Sequence, residues 1–310
     1  MILLPAEVNY ERIIDMNYEN FIEAVSAAVS LLCPNDKVRI EKITKNNTTI
    51  WDAIVIFREN DCVSPTIYLM DYYLEYSEGK EIDEIAEEIV RISENSRGMV
   101  KFDVDACNSF EGIKDKLLCR VVNYKQNREL LSKCPHRSFL DLALVYYCVE
   151  TDCNGDFGSW LITDKIFSDW NVTEEVLYKK ATENLPKLMP PELINIWDML
   201  ERLTGEPYIP ENGAEDKMYV LTNDKKIYGA TSILFEDLIK KFAKDHGSFY
   251  ILPSSIHEVI LVPTENDEDA VSLKNMVIEV NETKVHPTEY LSDEVYFFDA
   301  VEQEIRRLII

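Results

Sequence analysis

Apolar residues run without interruption at Phe249–Leu252 and again at Val259–Val262, and Pro253 and Pro263 close the two runs. A strand with one wet face alternates apolar and polar side chains, so continuous runs of this length suit strands covered on both faces. The stretch reads as a central hairpin with Ser254, Ser255, Ile256 and His257 at its turn. Serine suits a turn because its hydroxyl bonds the local backbone, and proline marks strand ends because it cannot donate to a ladder. The pattern predicts that Ile251 and Ile260 are both buried.

Elsewhere the hydrophobic period switches between helix and strand. Phe21, Ile22, Val25, Ala28, Val29 and Leu32 repeat at helical spacing, and Pro34-Asn35-Asp36 ends that helix. Strands follow at Val38–Ile43, Thr48–Phe57 and Pro65–Leu69, then an amphipathic helix on Ile82, Ile85, Ala86 and Ile89. Its acids form a solvated outer face. Tyr68, Tyr72, Tyr73 and Tyr76 read as an aromatic surface, or two of them, at helical spacing, as core. This makes residues 18–100 an N-terminal α-β-β-β-α module after a leader at 1–17.

A middle α+β unit spans 101–204. It holds a helix at Phe110–Lys116, a strand at Leu118–Tyr124, a helix at Gln126–Lys133 and one long buried strand at Phe139–Val149. Asn154-Gly155 turns into a partner strand at Trp160–Thr163. Thr173 caps a helix that Pro186 stops, and Pro190-Pro191 starts another. Residues 205–217, with their glycines and prolines, form a linker or long loop. The C-terminal α+β unit, 218–310, contains a strand at Met218–Thr222, a helix from Ile233 to His246 capped by Ser232, the hairpin 249–263, an acidic loop at 264–269 and a helix near Leu273–Asn281. The order β-α-β-β-α thus occurs at 118–185 and again at 218–281, with little residue identity between the two. The fold class is α+β: an N-terminal module followed by a larger mixed region with two such units.

Composition narrows the function classes. The chain has 310 residues, 46% of them hydrophobic, enough to bury a core. Its net charge of −25 argues against gripping nucleic acid phosphates or an anionic membrane surface. The seven cysteines are odd in number and lack any C-x-x-C spacing, so reduced thiols in the cytoplasm fit best. The N-terminus has no basic n-region, and no apolar run approaches a membrane span.

Chemistry-bearing residues are sparse. Ser255 and His257 are the candidate catalytic pair: two apart, they share a face of an extended segment, with Cα atoms roughly 6.5 Å apart. Glu258 points away from His257, and no G-x-S-x-G elbow surrounds either serine. The competing reading is a capped turn with a partly buried histidine. Candidate binding residues are His136, Arg137, Asn223, Ser254 and Glu258. Pro135-His136-Arg137 suits an anion or a salt-bridged corner, and Asn223 opens a polar loop without phosphate-loop spacing. Asp103 and Asp105 lack an EF-hand pattern, and no paired metal-ligand spacing occurs, so neither a metal nor a cofactor is expected.

Pro65-Thr-Ile-Tyr-Leu69, Pro135-His-Arg-x-Phe-Leu-Asp-Leu-Ala143, Pro190-Pro-Glu-Leu193, Met218-Tyr-Val-Leu-Thr-Asn223, Tyr250-Ile-Leu-Pro-Ser-Ser-Ile-His-Glu-Val-Ile-Leu-Val-Pro263 and Leu291-Ser-Asp-x-Val-Tyr296 resemble the bacterial family catalogued as domain of unknown function 5688. The resemblance covers about Tyr18 to Asp299. The C-terminal half is also distantly similar to family 1444 of the same catalogue. Relatives often carry Asn-Gly-Ala where this chain has Tyr228-Gly229-Ala230. The resemblance implies a cytoplasmic bacterial protein and supplies no mechanism.

The expectation is a non-enzymatic binding or regulatory protein with a protein or small-molecule partner. A hydrolase-like enzyme using Ser255 and His257 is the second reading, and an acidic inhibitor mimicking nucleic acid is the third.

Overall fold

The computed structural model describes residues 16–59, 64–96, 109–151, 157–205, 218–264 and 270–310. The expectations placed on the leader before residue 16, on Asn60-Asp61, Asp103, Asp105 and Asn154-Gly155, on 206–217 and on 265–269 lie outside them. The chain forms two compact units. Among the described residues the first holds those up to Lys45 and from Ile50 to Ser96, and the second holds Asn46–Thr49 and all from Ser109 onward.

In the first unit, helix α1 (Tyr18–Leu32) starts at Asn17, whose side chain accepts from the backbone of Asn20. It buries Phe21, Val25 and Val29, spaced four apart on one stripe. Strands β1 (Lys37–Thr44) and β2 (Ile50–Phe57) pair antiparallel, and β3 (Ile67–Tyr68) adds to β2. Between β3 and the amphipathic helix lies a further helix, α2 (Met70–Ser77), ahead of α3 (Ile82–Asn95). Its tyrosines belong to the core: Tyr72 is buried, and Tyr73 and Tyr76 pack on Phe21 with ring centroids 5.2 and 5.5 Å away. The Glu81–Glu84 capping box sets the start of α3.

The second unit contains two antiparallel sheets. The first joins β4 (Leu117–Asn123), β5 (His136–Phe139), β6 (Leu142–Thr151) and β7 (Phe157–Leu161), in the order β4-β6-β5 with β7 also on β6. The second joins β8 (Pro191–Asn195), β9 (Tyr219–Asn223), β10 (Phe249–Leu252), β11 (Val259–Pro263), β12 (Tyr296–Asp299) and β13 (Glu304–Arg307), in the order β13-β12-β10-β11-β9-β8. Helices α4 (Phe110–Ile113), α5 (Arg128–Leu131), α6 (Asp164–Ser168), α7 (Glu174–Leu188), α8 (Ile196–Thr204), α9 (Glu236–His246) and α10 (Ala270–Thr283) connect them.

The order β-α-β-β-α does not recur over 118–185, because the apolar stretch Phe139–Val149 breaks at Leu140, which turns at φ 54°, into β5 and β6, and β7 and α6 follow before α7. Sequence alone reads that stretch as a single strand. What the two segments share is a strand order: in β4-α5-β5-β6 and in β9-α9-β10-β11 the last strand lies between the other two, giving β4-β6-β5 and β9-β11-β10.

Three further boundaries differ from the sequence reading. Pro186 lies inside α7, which continues to Leu188. Two residues remain beyond it, and the turn that carries the proline is held by buried Leu185 and by Asn184, whose amide donates to the carbonyls of Lys114 and Leu117. Pro191 opens the edge strand β8, where a missing N–H does no harm, and the helix waits until Ile196. Ser232 sits inside a 3₁₀ segment, Gly229–Leu234, with its hydroxyl donating to the carbonyl of Thr222, so α9 begins only at Glu236.

The central hairpin is where the pattern placed it. β10 is buried on both faces: Phe249 and Ile251 join the main core, and Tyr250 and Leu252 join a second core against Leu273 and Val277 of α10. β11 alternates. Val259 and Leu261 are buried, whereas Ile260 is half-buried, so the prediction holds for Ile251 and not for Ile260. Position explains the difference: β10 is flanked by β11 and β12 over the packed α10, and Ile260 lies at the margin of that second core.

Candidate functional site

The connection after β10 is a pinned segment. Pro253 and Ser254 accept through their carbonyls from the N–H groups of Ser292 and Leu291, and the N–H of Ile256 donates to the carbonyl of Glu289. Ser255 is buried, and its hydroxyl oxygen accepts from the backbone N–H of His257 at 3.0 Å. The His257 ring faces other partners. Nδ1 accepts from the backbone N–H of Tyr228 at 3.3 Å, which places the ring proton on Nε2, 3.6 Å from the Glu289 carboxylate. The ring also stacks on Tyr228, at 5.9 Å between centroids and an interplanar angle of 23°. Glu258 is half-buried on the neighbouring position and makes no ion pair among the described residues.

The remaining sequence candidates have structural partners. The Asn223 amide donates to the carbonyl of Ile227, and its oxygen accepts from the N–H of Lys225, closing the loop after β9. Arg137 forks onto Glu174 at 3.1 and 2.8 Å and also reaches Glu175. The Tyr146 hydroxyl donates to the same Glu174. Burial pushes the Glu174 carboxyl up, yet the hydrogen bonds from Arg137 and Tyr146 outweigh it and hold the group below the usual carboxylate range. Burial and that carboxylate hold the Tyr146 hydroxyl well above its usual range. His136 places Nδ1 3.0 Å from the carbonyl of Cys134. Among the described residues, no three His, Cys, Asp or Glu side chains gather as a metal site.

A pocket forms elsewhere, around a residue that the sequence reading passed over. Arg120 sits at the centre of β4, flanked on each side by buried strand residues. Its guanidinium carbon lies 2.9 Å from the ring centroid of Tyr147 and 4.1 Å from that of Tyr228, so two aromatic faces cover it. It makes no salt bridge with the described residues, and its buried Nε has no hydrogen-bond partner. In a chain with 57 acidic residues against 32 basic ones, an inward arginine without a carboxylate is notable. The usable signal in the sequence was a lone cation inside the apolar strand Leu117–Asn123.

The pocket is narrow, with about 30 Å³ of room for water inside about 420 Å³ of space that includes the open solvent at its mouth. Leu118, Val149, Leu185, Met189 and Phe235 supply apolar walls, and Asn223, Tyr228, Thr231 and Ser232 line the side formed by the loop after β9. That loop is tightly seated. Tyr228 adopts a left-handed φ of 53°, a conformation that favours Asn or Gly over an aromatic residue. At Gly229 any Cβ would collide with the Thr222 hydroxyl and the His257 carbonyl. The hairpin histidine thus touches the pocket indirectly, through Tyr228.

A second, wider cleft lies beside Asp141, which accepts from the hydroxyls of Ser292 at 2.7 Å and Tyr296 at 2.6 Å. Here two of the stretches quoted above, Pro135–Ala143 and Leu291–Tyr296, meet.

Fold and site together define an α+β protein of antiparallel sheets with an arginine-bearing pocket in its larger unit. A family model described as Family of unknown function (DUF5688) matches residues 18–300, and the chain belongs to that family. No curated protein and no solved structure matches it. No helix among the described residues is long and apolar enough to cross a membrane.

Proposed function

We propose that the chain is a non-enzymatic small-molecule-binding protein of the cytoplasm, and that its ligand occupies the pocket beside Arg120. The observation that carries this reading is the uncompensated guanidinium inside a mostly apolar concavity. Arg120 is half-buried and its enclosed Nε has no hydrogen-bond partner; an unpaired polar atom out of water is costly, and such an atom persists where a ligand completes it. The hairpin geometry supports binding over hydrolysis. The Ser255 hydroxyl is occupied by a backbone N–H, and both His257 nitrogens face groups other than that hydroxyl. A nucleophile–base pair needs that contact.

The test is a thermal-shift screen of the full chain against a library of small carboxylates, phosphates and neutral compounds, repeated with Ser159→Trp. Ser159 is exposed at the pocket mouth, so the indole blocks entry while leaving the core intact. The reading expects stabilising compounds whose effect disappears in the variant. A screen without any variant-sensitive stabiliser, alongside stable capture of a protein partner, would replace it with a protein-binding role.

A further inference from the structure

The polar groups of the Arg120 pocket narrow its ligand to one chemical class. Four polar side chains besides the arginine and tyrosines line it: Ser159, Asn223, Thr231 and Ser232. Three of these already serve the protein. The Asn223 amide closes its own loop. Thr231 accepts from the backbone N–H of Val121 at 3.2 Å, covering the outer edge of β4. Ser232 donates to the carbonyl of Thr222 at 2.7 Å. Ser159 is exposed at the mouth.

Inside the pocket, Arg120 is therefore the charged group left to recognise polarity among the described lining residues, beside the hydroxyls of Tyr147 and Tyr228. The guanidinium carbon lies over the rings of Tyr147 and Tyr228, and the terminal N–H groups of an arginine bind a carboxylate or phosphate with two parallel hydrogen bonds. The rest of the surface is Leu118, Val149, Leu185, Met189, Ile227 and Phe235, with the Cys119 thiol at its floor, and offers a ligand little beyond apolar contact. A sugar or nucleotide would bury hydroxyls and ring nitrogens here without partners.

We infer that this pocket takes an anionic amphiphile: a single carboxylate or phosphate head on the edge of Arg120, and a slender apolar body along the leucine, valine and methionine wall. The inference rests on the small-molecule reading above and adds the chemistry of the ligand. Contact with the rings of Tyr147 and Tyr228 holds the guanidinium in place before the ligand arrives, so little ordering is required on binding. The strongly negative chain repels anions at a distance, which confines anion binding to this sheltered cation.

The experiment is calorimetric titration of the full chain with octanoate, octyl phosphate, octanol, octylamine and inorganic phosphate, on the parent, Arg120→Gln and Arg120→Lys. The two anionic amphiphiles should bind about tenfold or more tightly than octanol, the worth of a charge-assisted hydrogen-bonded pair. Arg120→Gln should erase that margin and leave octanol unchanged, and Arg120→Lys should keep part of it. Whichever of octanoate and octyl phosphate binds tighter identifies the head group. Inorganic phosphate alone should bind weakly, lacking the apolar body. The head-group series on the parent decides the matter even if a variant fails to fold. Equal binding of octanol and octanoate, with no effect of Arg120→Gln, overturns the anionic head while the pocket reading survives. Silence from all five probes, with other compounds still stabilising through the site blocked by Ser159→Trp, overturns the ligand class. Silence from every compound removes the pocket reading as well.

Discussion

The Thr222 hydroxyl donates to the carbonyl of His257 at 2.8 Å, and Gly229 lies against both groups. That three-way contact ties the end of β9, the hairpin connection and the pocket loop together. Gly229→Ala should therefore destabilise the protein by about 1–3 kcal/mol or more, because its methyl meets backbone and cannot be accommodated by a side-chain shift. Gly205→Ala makes the control. Gly205 ends α8 in the left-handed region at φ 73° with open space around it, so its cost is the backbone term alone, about 1 kcal/mol. Urea melts of both variants compare the two causes, and a Gly229→Ala protein as stable as the parent would refute the close approach.

Arg137 and Arg120 should respond oppositely to replacement by Met. Losing Arg137 strands the Glu174 carboxylate, and stability should fall by about 1–3 kcal/mol. Losing Arg120 strands no carboxylate among the described residues, and stability should stay within about 1 kcal/mol of the parent. Equal losses in denaturant melts would mean that Arg120 has a structural partner.

Glu174 also makes a pH prediction. Its carboxyl is held below the unfolded value, near 4.3 for glutamate, so its contribution is present above about pH 4.3 and disappears as pH falls through the lower folded value. Denaturant stability of the parent should drop across that acid range. Glu174→Gln should start lower at neutral pH and show a flatter acid limb. Parallel acid limbs in the two proteins would contradict the assignment.

The two isoleucines of the central hairpin separate by burial. Ile251 is fully enclosed, so Ile251→Ala should cost about 2–5 kcal/mol through lost transfer energy and an unfilled cavity. Ile260 keeps part of its surface in water and should cost less than half as much on replacement. Reversal of this order in paired melts would place the wrong strand at the centre of the sheet.

Thiol reactivity should follow folding. Burial pushes the Cys119 thiol up to about 12 and the Cys134 thiol up to about 11, so the nucleophilic thiolate is scarce at neutral pH. Cys33 and Cys148 are buried too. Alkylation at pH 8 followed by peptide mass mapping should leave these four unmodified in the native state and label all four once the chain unfolds. Rapid native labelling of Cys119 would mean that the pocket floor opens.

The sequence by itself determined the elements whose signals are local. Uninterrupted apolar runs placed β10 and β11, the Thr173–Glu175 turn placed the start of α7, and Gly247 placed the end of α9. Strand order, the extra hairpin break at Leu140 and the strand role of Pro191 came from tertiary pairing, because local pattern states that a face is apolar without naming the face it meets. The same reason divides the site. Ser255 and His257 were visible as residue types, but their partners were set by the 289–292 segment and by Tyr228. Arg120 read as one cation among many in a chain rich in acids. Only the folded chain shows that no carboxylate among the described residues pairs with it, since a missing partner is a property of the whole neighbourhood and of no single stretch.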